Sequence, residues 1–74
     1  MDTKSIFIAE DAVALLRQQL RSQGEVYLKS IKVALPAGSD ADKVSEYINN
    51  NHPELKAHSK PEENGLPIIA IGFR

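Results

Sequence analysis

Residues 66–73, LPIIAIGF, constrain the fold more than any other stretch of the chain. In the alternation of a strand, Leu66, Ile68 and Ala70 share one face while Pro67, Ile69, Ile71 and Phe73 share the other. Both faces therefore require cover, which an edge strand turned to water would not provide. Asn64-Gly65 immediately before it is a strong reversal signal, and the preceding Lys60-Pro61-Glu62-Glu63 is polar. The segment is predicted to be the second arm of a hairpin.

With 74 residues and 42 % apolar content, the chain is expected to form a single compact domain over residues 1–74. Cysteine is absent, which removes disulfides, thiolate nucleophiles and thiolate metal ligands together. Packing alone must hold the fold. Nine Lys plus Arg balance ten Asp plus Glu, for a formal charge of -1, so no global field draws the chain to nucleic acid or anionic lipid. The apolar run from Ile6 to Ala9 is too short for a signal-peptide core or a membrane span, and the expectation is a cytoplasmic protein without membrane contact.

Residues 5–9 alternate Ile6 and Ile8 and are predicted to form a short strand. Residues 10–23 follow as a helix, with Val13, Leu16 and Leu20 repeating at three and four residues, Ala9 and Ala12 extending the stripe, and Gly24 just past its end. Residues 25–35 read as an interior strand of imperfect alternation. Tyr27, Ile31, Val33 and Leu35 share one face and Val26 and Leu28 the other, which requires a bulge near Lys29-Ser30 or burial on both sides.

Pro36-Ala37-Gly38 ends that strand, and Ser39 is the expected N-cap of a second helix over residues 40–50, with Ala41, Val44 and Ile48 as its apolar stripe. Residues 54–59 alternate Leu55 and Ala57 against Glu54, Lys56 and His58, the pattern of an outer hairpin strand with one wet face. The expected class is α+β: a small mixed sheet of three to four strands in the chain order β-α-β-α-β-β, with both helices on one face. Its expected core is Ile6, Val13, Leu16, Leu20, Ile31, Val33, Val44, Ile48, Leu55, Ile69, Ile71 and Phe73.

Catalytic chemistry finds little support. The loop before the second helix has one glycine, Gly38, and no phosphate-loop lysine, while Asp40 and Asp42 would repel an anion there. His52, Glu54 and His58 resemble a metal-ligand set, but Glu54 and His58 would stand about 13 Å apart along a strand. They read as solvated surface groups. Ser30, Ser39 and Ser45 lack a nucleophile motif. Arg17 and Arg21 read as a solvated basic stripe. Neither enzyme activity nor a cofactor or metal is expected, and no motif is specific enough to name a family.

The uncovered sheet face is the more informative surface. If Ile31, Val33, Ile69 and Ile71 face the helices, then Val26, Leu28, Lys32, Lys56, His58, Ile68 and Ala70 face away. An apolar centre with a basic side suits a protein-protein interaction or regulatory module, or a homodimer, using Leu28, Lys32, Lys56, Ile68 and Ala70. The alternative is a nucleic-acid-binding accessory protein using Lys32, Lys56, His58 and Lys60. It is weakened because Tyr27 and Phe73 fall on the presumed core face and leave few aromatics to stack on bases.

Overall fold

The computed structural model describes residues 3–23 and 30–74 of the chain. Its elements run α1 (Thr3–Gln23), β1 (Ser30–Ala34), α2 (Ala41–Asn51), β2 (Leu55–Glu63) and β3 (Leu66–Phe73). The three strands form one antiparallel sheet in the order β1-β3-β2, so the doubly apolar segment is the central strand. Six consecutive residues of β3, Pro67 to Gly72, are buried. Both-face burial is what the central position supplies.

The sheet is not mixed, as expected from sequence, but antiparallel throughout. β1 and β2 each run opposite to β3 and hence parallel to one another, with β3 inserted between them. The connection through α2 therefore skips a strand position. The hairpin closes through Asn64 and Gly65, both at positive φ (54° and 77°), the geometry that tight two-residue reversals require. β2 is longer than the predicted residues 54–59 and continues through Pro61 to Glu63. Lys60 pairs with Ile68 and Glu63 with Leu66, so Pro61 and Glu62 together oppose Pro67 in a bulge. Proline is tolerated there because β2 is an edge strand.

The predicted strand at residues 5–9 is instead the opening of α1. Ile6, Ala9, Val13, Leu16 and Leu20 recur at alternating spacings of three and four, a helical phase that outlasts the two-residue coincidence of Ile6 and Ile8. β1 covers only the second half of the predicted residues 25–35 and pairs in regular register from Ser30 to Ala34. Val26, Tyr27, Leu28, Lys29 and Gly24 lie outside the described residues. Before α2, Gly38 takes φ 84° in a turn where Ser39 N donates to Pro36 O. The N-cap is Asp40 and not Ser39: its backbone is extended and its carboxylate accepts from Lys43 N at 3.1 Å.

Both helices cover one face of the sheet. Leu16, Val44, Ile48, Leu55, Ile69 and Ile71 are the largest fully buried side chains, each contributing about 1.5–3 kcal/mol of burial before chain entropy is counted. Val13 and Val33 join them, and Ile31 and Phe73 pack partly buried against the cluster. Ala9, Ala12, Leu35 and Ala57 are core positions beyond those expected. Ile6 and Leu20, expected in the core, are only half-buried. No helix among the described residues is long and apolar enough to cross a membrane.

Candidate protein-binding face and edges of the sheet

The strand registers place nine residues in three rows on the face away from the helices. These rows are Ser30-Gly72-Lys56, Lys32-Ala70-His58 and Ala34-Ile68-Lys60. The middle column is small or aliphatic, and the outer columns carry the polar groups. Lys32, Lys56, Ile68 and Ala70 are thus brought together on one face, as are Lys32, Lys56, His58 and Lys60; Leu28 lies outside the described residues.

The apolar centre is narrower than the sequence suggested. Ile68 and Ala70 are only 5 % and 6 % exposed. The bulge at Pro61-Glu62 shifts the alternation of β2 by one residue, which brings Glu63 onto this face. Its carboxylate accepts from Lys32 Nζ at 2.7 Å, an ion pair that passes over the central strand. Lys56, His58 and Lys60 stand exposed along β2, about 6.8 Å apart at every second residue. A depression of about 200 Å³ between Ser30, Lys56, His58, Ala70 and Gly72 opens beside them.

The two sheet edges are treated differently. Leu35 N donates to Pro67 O at 2.8 Å, and Arg74 N to Glu54 O at 3.1 Å. In antiparallel ladders this character repeats every second pair. Ile31, Val33 and Leu35 therefore turn their backbone groups toward β3, and Ser30, Lys32 and Ala34 turn theirs outward. On β2, Leu55, Ala57 and Ser59 have the outward groups. There Ala57 N donates to Asn49 Oδ1, and Asn49 Nδ2 donates to Ala57 O, both at 2.8 Å. Leu55 N donates to His52 O, and Leu55 O accepts from Arg74 Nε. The β2 edge is closed over Leu55 and Ala57, while the outward groups of β1 meet no partner among the described residues.

A chain of polar contacts fixes α1 to the α2–β2 junction. His52 Nε2 lies 2.6 Å from Glu10 Oε1, and Arg17 donates to Glu54 at 2.7 Å. His52 is accordingly not the solvated surface group read from sequence, nor is Arg17 part of a free basic stripe. A backbone hydrogen bond at Glu54 itself lowers its pKa; desolvation opposes that shift, and Arg17 and then His52 add to the lowering. His58 points from the outer face and is remote in register from Glu54. Among the described residues, no group of three or more His, Cys, Asp or Glu is placed to hold a metal ion.

Sequence reasoning located the cationic face through strand alternation, but it passed over Asn49. The run Asn49-Asn50-Asn51 reads as a helix ending, and only knowledge that β2 is an edge beside α2 shows why the first amide is needed. Comparison with family models, curated proteins and solved structures finds no match for the chain.

Proposed function

We propose that this chain is a small non-enzymatic interaction module, of regulatory type, that binds another protein through the open sheet face. Lys32, Lys56, Ile68 and Ala70 are its described contacts. The observation that carries the reading is the exposed polar frame of the outer sheet face, three lysines and one glutamate standing around the nearly buried column Ile68-Ala70-Gly72. Such a frame favours carboxylates set around a small apolar contact. Lysines outnumber the glutamate on this face, so an acidic partner complements it.

Nucleic-acid binding is the second reading, favoured by the evenly spaced row Lys56, His58 and Lys60 with Lys32 across the sheet. It has against it the absence of Phe, Tyr and Trp among the nine described positions of the three rows and the chain's formal charge of -1. The test is affinity capture of the tagged chain from its own cells, with and without nuclease. A stoichiometric protein partner that survives nuclease and is lost from a chain carrying Lys56→Glu and Lys60→Glu supports the first reading. Loss of all partners with nuclease, with binding that falls steeply in salt, supports the second.

A further inference from the structure

We infer that the open edge of β1 receives an extended segment of another protein as a fourth strand, its aliphatic residues entering the α1–β1 groove and an acidic residue lying opposite Lys32. This inference uses the sheet edge and does not depend on the reading of the sheet face. Ser30, Lys32 and Ala34 present outward amides and carbonyls that no described residue occupies, whereas Asn49, His52 and Arg74 occupy the outward groups of Leu55 and Ala57 on the opposite edge. Edge strands left in this state are templates for pairing.

The surroundings of the edge specify what would pair there. On the helix side, a groove of about 240 Å³ runs between α1 and β1, lined by the apolar side chains of Ile8, Ala12, Leu15, Val33 and Leu35 and by the carboxylate-bearing Asp11. Leu15 is one of two large apolar side chains left exposed among the described residues. An added strand would direct every second side chain into this groove. Its remaining side chains would lie on the outer face beside Lys32, whose ammonium meets, among the described residues, the exposed carboxylate of Glu63. An ion pair this exposed contributes little and exchanges readily for another carboxylate. Pairing β1 with a second copy of itself across the central registers would set the two Lys32 side chains directly or diagonally opposite on one face, which opposes self-association. Charge and groove together select a segment that alternates aliphatic with acidic residues.

The probes are two capped peptides of about six residues, one alternating valine with glutamate and the other valine with lysine, titrated into the isotope-labelled chain. With the glutamate peptide, the amides of Ser30, Lys32 and Ala34 are expected to shift and gain exchange protection, and the lysine peptide to bind roughly fivefold more weakly. Ala34→Pro removes an outward donor at a position where an edge strand tolerates proline, and it should abolish binding. Leu15→Glu in the groove should weaken binding without touching the strand, and it serves if Ala34→Pro does not fold. The sheet-face variant Lys56→Glu with Lys60→Glu should leave binding unchanged. Unshifted edge amides, equal affinity for the two peptides, or binding that survives both edge variants would overturn the inference. So would protection of these amides that rises with protein concentration alone, which would make the occupant a second copy.

Discussion

Asn49 stands to Ala57 as a neighbouring strand would, its Oδ1 accepting from Ala57 N and its Nδ2 donating to Ala57 O, both at 2.8 Å. One side-chain amide on α2 thereby satisfies both outward backbone groups of an edge residue. Asn49→Ala would leave that donor and acceptor without a partner in a part-buried setting, for an expected loss of about 2–3 kcal/mol. Urea unfolding measures the loss, and faster amide exchange at Ala57 than at Val33 in the variant locates it. Unchanged stability and exchange would show that water replaces the amide without cost.

The N-cap of α2 gives a sharper comparison between adjacent residues. Asp40→Ala is expected to cost about 1 kcal/mol, because it removes the acceptor for Lys43 N and a negative charge from the helix start. Ser39→Ala should cost much less. Thermal melts of the two variants check the order, and an equal loss in both would contradict the assignment of the cap.

Ser45 is 5 % exposed on α2, and its hydroxyl makes no hydrogen bond. Its burial leaves a polar group uncompensated, so Ser45→Ala should stabilise the chain by about 1 kcal/mol. A lower urea midpoint in Ser45→Ala would show the hydroxyl to be satisfied after all.

Glu54 supplies a pH dependence of known sign. Its pKa is lowered on folding, first by the backbone hydrogen bond at Glu54 and then by Arg17. Its favourable contribution is therefore present above the ordinary glutamate value and is lost as pH falls through the lower folded value. In a carboxyl-carbon titration by nuclear magnetic resonance, Glu54 should titrate below the ordinary glutamate value. Arg17→Ala should raise it only part of the way, since the backbone bond remains. A return to the ordinary value in that variant would make Arg17 the main cause.

Much of this fold could be read from residue patterns where burial is strong and local. Ile69 and Ile71 against Ile68 and Ala70 marked β3 to the residue, Asn64-Gly65 marked its turn, and Val44 and Ile48 marked α2. Alternation alone placed Lys32, Lys56 and His58 on a common face, whereas Lys60 joins them because β2 runs past the predicted residue 59. The misreading of residues 5–9 arose because Ile6 and Ile8 satisfy a two-residue period over too short a span, while the competing helical phase from Ile6 to Leu20 shows only when the whole segment is taken together. Sheet order was hidden for a different reason. Each strand shows its own faces, but which strand lies between the other two is a property of the assembled set. The closure of one edge by Asn49 was likewise illegible, because a side-chain amide at a helix end looks the same whether it faces water or a strand.

The strand order has a consequence for the growing chain. β1 and β2 do not pair with each other, and each finds its hydrogen bonds only on β3. During synthesis, then, neither β1 nor β2 has a partner until Leu66–Phe73 has been added. The sheet condenses in one late event, with the β2–β3 hairpin closing over a two-residue turn and β1 arriving from more than thirty residues upstream of β3. Until then Ile31 and Val33 share a nascent chain with no surface to cover them.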